Sequence, residues 1–253
     1  MDFGLGAAQS ALSAQADALS AWGDSIANAS TPGFQGDVPT FAEALRQNLP
    51  TGAWAQPQVG AGAAVRSVGF GVTVGMEQDA VDAGVAATGR ALDVAVRGPG
   101  YLVVDAGGQR LLTRDGSLSV DGAGQLVDAT GAPVLDSALR PIRVPPGSTV
   151  EIQGGRVTAD GRPVAQLAIA QVPNPGGLVR VSGSHLAPSP QSGAVRVAAA
   201  APGQLVAGYL NLSSTSLAQA MVGLVSAQAG FELAAKVAQQ AAQLASLTAQ
   251  MPG

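Results

Sequence analysis

Cysteine is absent from the 253-residue chain, and histidine occurs once, at His185. Disulfides, thiol nucleophiles, cysteine metal sites and any multi-histidine metal site are thereby excluded. Charge is scarce as well: Asp, Glu, Lys and Arg together are 12% of residues, against roughly a quarter in an average soluble domain. Aromatics are 4%, and the hydrophobic 47% is mostly alanine and valine. The net charge of −4 leaves no basic footprint for nucleic acid and no electrostatic attraction to anionic lipid. No Lys or Arg precedes Arg46, and Gly4, Gln9, Ser10, Ser13, Gln15 and Asp17 interrupt any apolar run near the start, so a cleaved secretory signal is not expected. The uncharged stretch Asn211–Phe231 has the length of a membrane span, but Ser213, Ser214, Thr215, Ser216, Gln219 and Gln228 make it too polar for lipid. The chain is expected to be soluble, without membrane insertion.

What is present is helical at both ends. Leu5, Leu12, Leu19 and Ile26 recur every seven residues, and Ala8, Trp22 and Ala29 fill the second seam position with Gln15 as its polar break. Thr31-Pro32-Gly33 stops this helix, since proline lacks an amide donor and disfavours helix in the residue before it. At the other end Leu217, Leu224 and Phe231 keep the seven-residue spacing with Met221 between, and the stripe continues through Leu233, Val237, Leu244, Leu247 and Met251. Ser213–Ser216 supply N-cap candidates. A helix covering one face of its own domain would explain these seams. It would not explain the remaining faces, which carry almost no charge where water-exposed helices normally do. Bland side chains all round point to burial on several sides.

The middle is strand and turn. Leu92, Val94 and Val96 share one parity against Asp93 and Arg97, the alternation of a half-buried strand. Asp115-Gly116, Asp121-Gly122 and Asp160-Gly161 read as turn pairs. Val104-Asp-Ala-Gly-Gly-Gln109 recurs as Val120-Asp-Gly-Ala-Gly-Gln125, two similar hairpin tips. Between Gly36 and Arg90 the pattern is mixed: a short helix around Phe41–Leu49, then a Gly/Ala/Val stretch from Val59 to Val74. The resulting expectation is an α+β chain: terminal helical segments 1–35 and 209–253 paired as a coiled-coil-like layer, a connecting segment 36–90, and an all-β domain 91–208.

Catalytic signals fail one by one. His185 sits in the loop-like Ser182-Gly183-Ser184-His185 without evident partners. The glycine clusters lack phosphate-loop spacing. Asp115, Asp121, Asp128 and Asp136 lack the acidic residue that would close a calcium loop and are better read as turn formers. No cofactor or metal is expected, and no enzyme.

Four ordered segments carry a resemblance. Ile26-Ala27-Asn28-Ala29-Ser30-Thr31-Pro32-Gly33-Phe34 resembles the signature that closes the first helix of bacterial flagellar rod and hook proteins. Thr88-Gly89-Arg90-Ala91-Leu92-Asp93 through Gly100-Tyr101 is similar to the family's next conserved-order segment. Thr113-Arg114-Asp115-Gly116-Ser117-Leu118 resembles its hairpin, with Asp121 through Gln125-Leu126-Val127 following. Gly208-Tyr209-Leu210-Asn211-Leu212-Ser213 and Ala227-Gln228-Ala229-Gly230-Phe231-Glu232 resemble the closing helix. Asp24-Ser25 stands where the family usually has an asparagine pair.

The resemblance implies a proximal or distal rod type rather than the longer hook protein. It implies export through the flagellar secretion channel, polymerisation with copies of itself and with neighbouring rod or hook proteins, and contact with the surrounding basal-body rings. The location implied is the basal body, outside the cytoplasmic membrane. The expected subunit interface is Leu5, Leu12, Leu19, Trp22, Ile26, Leu217, Met221, Leu224, Phe231, Val237 and Leu244. A glycan hydrolase acting through Asp and Glu, or a β-domain binding module that merely dimerises, are the readings from other classes.

Overall fold

The computed structural model describes residues 2–43, 46–49, 66–69, 72–78 and 84–249. Most of the stretch from Val59 to Val74 lies outside these residues, as does Met251 at the end of the C-terminal stripe. Helix α1 spans Asp2–Ala27. Strands β1 (Asp37–Glu43), β2 (Arg46–Leu49), β3 (Arg66–Gly69), β4 (Val72–Gln78), β5 (Val85–Ala87) and β6 (Val94–Val96) follow. Next come β7 (Tyr101–Ala106), β8 (Gln109–Thr113), β9 (Ser119–Val120), β10 (Leu126–Val127), β11 (Val150–Gln153), β12 (Arg156–Ala159) and β13 (Arg162–Gln166). Strands β14 (Ala168–Gln171), β15 (Val179–Ser182), β16 (His185–Ala187), β17 (Arg196–Ala199), β18 (Leu205–Ala207) and β19 (Tyr209–Asn211) lead into helix α2, Leu217–Ala249. At ~1.5 Å per residue α2 is about 50 Å long.

The chain divides into two compact units. One comprises Met1–Gly23, Val38–Glu77 and Ala220–Gly253; the other comprises Asp24–Asp37 and Gln78–Gln219. In the first, α1 and α2 touch through small residues. A Cβ added to Gly223 would fall 2.3 Å from the Trp22 ring, and one added to Gly230 would fall 2.8 Å from the Gln15 side chain. Residue numbers rise on one helix as they fall on the other, so the helices run antiparallel along this contact. The buried helix positions within this unit are alanines: Ala8, Ala14, Ala18 and Ala21 on α1, Ala220 and Ala227 on α2. Leucines Leu12 and Leu19 are only half-buried. On another side of α1, the Ser10 hydroxyl accepts from the Val72 amide at 3.2 Å and donates to the Ala7 carbonyl at 2.9 Å.

The expected helix around Phe41–Leu49 is replaced by β1 and β2. Strand β1 pairs with β4, and β2 pairs with β3 from Arg46↔Gly69 to Leu49↔Arg66. Ala42, Glu43, Leu45 and Arg46 favour helix locally, but such propensities are a fraction of a kcal/mol each, and strand pairing overrides them.

The second unit is built on a six-stranded sheet in the order β15-β16-β8-β7-β14-β17, with antiparallel pairing throughout. Both faces are covered. Leu102 and Val104 of β7 join one apolar cluster with Leu118, Leu126, Ile142, Ile152 and Leu167, while Tyr101 and Val103 join another with Leu112, Leu135, Leu178 and Leu186. Strand β6 departs from the expected alternation: Val94, Ala95 and Val96 are all buried, as in a strand covered on both sides.

Local chemistry shapes the turns. The carboxylate Oδ1 atoms of Asp121, Asp128 and Asp136 each accept the amides two and four residues on, at 2.7–2.9 Å. In each turn the residue three places on has positive φ: Gly124 at 74°, Gly131 at 87° and Leu139 at 60°. These are one turn used three times. The tip at Asp105 differs, because Gly107 and Gly108, with φ of 66° and 88°, make the two-residue link between β7 and β8.

Gly116 serves close approach rather than turning: a Cβ there would sit 1.7 Å from the Val94 carbonyl oxygen, whereas one on Gly122 meets nothing within 4 Å. Gly116→Ala should therefore destabilise the β unit by about 3 kcal/mol or more, and Gly122→Ala by no more than about 0.5 kcal/mol. Urea denaturation of the two variants measures the difference.

Candidate assembly interface and helix-exit joint

The end of α1 is locally determined. The Asn28 side-chain amide donates to the Asp24 carbonyl at 2.9 Å, closing the last turn, and the Thr31 hydroxyl donates to Asn28 Oδ1 at 3.2 Å. Gly33 then takes φ of 65°, which glycine adopts without steric cost. It also lies against the backbone of the Thr113–Gly116 segment that follows β8: a Cβ on Gly33 would fall 2.2 Å from the Arg114 carbonyl carbon and 2.4 Å from the Asp115 nitrogen. Two of the sequence-predicted signature segments thus pack directly on each other.

Each residue of the exit segment from Gly33 to Asp37 is tied down. The Gly33 amide donates to the Asn211 carbonyl at 2.9 Å. Phe34 is 1% exposed, a burial worth roughly 1.5–3 kcal/mol, and its carbonyl accepts the Ser214 amide at 2.9 Å. Gln35 Oε1 accepts from the Tyr101 hydroxyl at 3.0 Å, and the Gly36 amide donates to the Ser214 hydroxyl at 3.0 Å. The Asp37 carboxylate accepts from Arg180 Nε at 3.0 Å. Asn211 adds a second anchor, since its side chain donates to the Val96 carbonyl at 2.9 Å and accepts the Val96 amide at 2.7 Å. Burial pushes the Tyr101 hydroxyl above its ordinary pKa, although the nearby Arg114 and the bond to Gln35 oppose the shift. Arg114 lies 5.4 Å over the Tyr101 ring and donates from Nε to the Gly100 carbonyl at 3.1 Å.

Of the residues expected at a subunit interface, Leu12, Leu19, Trp22, Ile26 and Leu224 are half-buried within the single chain. Trp22 is already engaged by Gly223. Leu217, Met221, Phe231 and Val237 are exposed, and so are Val222 at 67%, Val225 at 64% and Leu233 at 65%. The side chains of Leu5 and Leu244 fall outside the described ones. At 100° per residue, Leu217, Met221, Leu224 and Phe231 fall on one flank of the α1-facing seam, and Val222, Leu233 and Val237 on the other. Apolar side chains are thus exposed to water on both flanks of the seam.

His185 and Asp128 are spent on structure. His185 lies in β16 rather than in a loop, is buried, and bonds through Nε2 to Asp128 Oδ2 at 2.6 Å. Burial pushes the Asp128 carboxyl up, but hydrogen bonds from His185, Thr130 and the Ala132 amide outweigh it and hold the group below the usual carboxylate range. Asp115 shifts the other way: burial raises it, with bonds from Ser117 only partly opposing. A cavity of about 320 Å³ is lined by Gln35, Gly98, Pro99, Gly100, Tyr101, Arg114, Val172 and Pro175. None of these is acidic, so the carboxylate pair that glycoside hydrolysis needs is missing from it. Among the described residues no three His, Asp or Glu side chains cluster to hold a metal, and no helix is long and apolar enough to cross a membrane.

Comparison with known families recovers the segments that meet in this geometry. A family model for flagella basal body rod proteins matches residues 5–35, one for the flagellar hook protein FlgE/F/G D1 domain matches 95–162, and one for the flagellar basal body rod FlgEFG protein C-terminal region matches 206–251. The flagellar basal-body rod protein FlgF of Rhizobium meliloti is 30% identical over 194 residues, covering 76% of this chain and 74% of its own. The chain belongs to the flagellar hook/basal-body rod family. FlgG of Bacillus subtilis is 29% identical over 233 residues, 85% of this chain and 86% of the relative. The hook protein FlgE of Brucella abortus is 32% identical over 157 residues, but these make up only 36% of that protein. The rod proteins are therefore matched along most of their length and the hook protein along about a third. The chain is a structural axial subunit of the basal-body rod, located in the flagellar basal body, and not an enzyme.

For this rod protein the exit joint draws Gly33–Gln35, Arg114, and Asn211 with Ser214 from all three matched segments. Sequence reasoning found Thr31–Phe34 and Thr113–Gly116 but missed Tyr101–Gln35, Asn211–Val96 and His185–Asp128, whose partners are 57 to 115 residues apart. Asp128, with its lowered folded value, contributes stability that is complete above the ordinary carboxylate range and is lost as pH falls through that lower value. Asp115, with its raised value, opposes folding while ionised at neutral pH, and its protonation relieves this. Asp128→Asn should lower the melting temperature at neutral pH and flatten its acid-side decline, whereas Asp115→Asn should raise it at neutral pH. Thermal melts from neutral to acid pH check both signs.

Proposed function

We propose that this rod protein polymerises into a hollow shaft that transmits torque from motor to hook and encloses part of the export channel. In this reading α1 and α2 form a coiled-coil-like inner layer, and the β unit forms the outer layer facing the surrounding basal-body rings. The single observation that carries it is the exposed apolar surface of α2, Leu217, Met221, Val222, Val225, Phe231, Leu233 and Val237. Copies of the same chain and neighbouring rod or hook proteins would cover it. Each such side chain removed from water contributes roughly 1.5–3 kcal/mol, so several per contact, repeated around a lattice, make a stiff tube. Two flanks on one helix favour an open polymer: a two-fold dimer covers the same patch on both copies, while head-to-tail contacts use different patches and propagate. The poverty of charge follows, because an inner-layer helix meets other helices instead of water. Export and passage across the periplasm complete the reading.

Met221→Asp and Leu19→Asp should each abolish assembly while leaving the β unit folded. Sedimentation of the purified variants and motility of cells carrying them measure this, and a motile strain would refute the interface. In the isolated subunit, the amides of residues 6–23 should exchange rapidly because one helix pair cannot cover all faces of both helices. Strong protection there would count against multi-sided burial.

A further inference from the structure

Arg180 lies outside all three segments that the family models match, yet its guanidinium reaches Phe34, Gln35 and Asp37 of the exit segment. Its guanidinium carbon stands 4.3 Å over the Phe34 ring. Nε donates to Asp37 Oδ2 at 3.0 Å, Nη1 donates to the Gly183 carbonyl at 2.9 Å, and Nη2 donates to the Gln35 carbonyl. The Arg180 and Asp37 side chains are only 15% and 22% exposed, so their attraction is little screened. Arg180 belongs to β15, the edge strand, and the β15–β16 register is irregular between Arg180 and Ser182. Bulges of this kind re-aim a side chain, and here the side chain reaches a segment some 145 residues earlier in the chain.

We infer that Arg180 is the positioning residue that clamps the α1 exit segment onto the β unit, holding Phe34 through Asp37 in one conformation. Only a planar fork with donors on three nitrogens can stack on Phe34 while serving Asp37, Gln35 and Gly183 together; a lysine ammonium at the same place has the charge without the plane. The consequence for function rests on the shaft-subunit reading: torque entering the terminal helices reaches the outer β unit through this joint, and a loose joint dissipates it.

The test is hydrogen exchange on the full-length chain as a dilute monomer, so that its failure is distinct from a failure to assemble. The probes are the amides of Gly33 and Gly36 and that of Ser214, which bonds the Phe34 carbonyl. With Arg180→Met and with Arg180→Lys these should exchange about tenfold faster, the scale of losing charge-assisted hydrogen bonds, while the amides pairing β7 with β8 keep their rates. Asp37→Asn, which leaves the fold of the edge strand alone, should show a smaller increase at the same amides. Unchanged exchange in Arg180→Met overturns the clamp, and so does acceleration spread equally through β7 and β8, which would mean general support of the sheet. If Arg180→Lys behaves like the unaltered chain, charge alone suffices and the planar-fork basis is overturned.

Discussion

The structure depends on a short run of backbone that leaves a helix and must immediately be buried. Residues Gly33 to Gly36 are all buried, and a buried main chain with unpaired amides or carbonyls would cost on the order of 1–3 kcal/mol per group. The chain meets this requirement with groups drawn from distant places: the Asn211 carbonyl, the Ser214 amide and hydroxyl, and the Arg180 guanidinium. Gly33 is the steric counterpart of that pairing, because only a residue without a Cβ can lie on the Arg114–Asp115 backbone. The β unit is consequently built around the exit of α1 and does not merely follow it.

The helices obey a different economy of contacts. Where α1 meets α2, the seam uses Gly223 and Gly230 so that Trp22 and Gln15 can press close, and alanines fill the buried positions. Larger apolar side chains flank the seam and stay partly or wholly exposed in the single chain. A helix pair arranged in this way is complete along one line and incomplete elsewhere, which is the physical state expected of an axial subunit before its neighbours arrive. The β unit contrasts with that: the central strands of its sheet carry apolar clusters on both faces, although Val179 and Val181 on the edge stay exposed, and His185 is paired with Asp128.

Legibility followed the range of the interaction. The Asp121, Asp128 and Asp136 turns could be read because a carboxylate bonds amides two and four residues away, within the same short window. The stop at Thr31-Pro32-Gly33 was readable for the same reason. The strand at Arg46–Leu49 was not, because its partner Arg66–Gly69 stabilises it from about twenty residues away and outweighs local helix preference. His185 reads as a loop residue because its own neighbours, Gly183 and Ser184, are turn-forming, and nothing near it in sequence announces Asp128. The full burial of Val94–Val96 was hidden as well, since a polar Asp93 before the strand imitates alternation.

The sequence by itself determined the class of molecule: charge-poor helices at both ends, a turn-rich β middle, and ordered motifs that name the family. Those are properties of composition and of spacing under about ten residues, where backbone geometry translates pattern directly into form. Only the tertiary structure decided which leucines flank rather than fill the helix seam, and why Gly33 and Gly116 must be glycine. It alone revealed that Arg180 holds a segment well over a hundred residues upstream. Such contacts arise when separate elements pack, and their free energy depends on relative position in space, which no local pattern encodes.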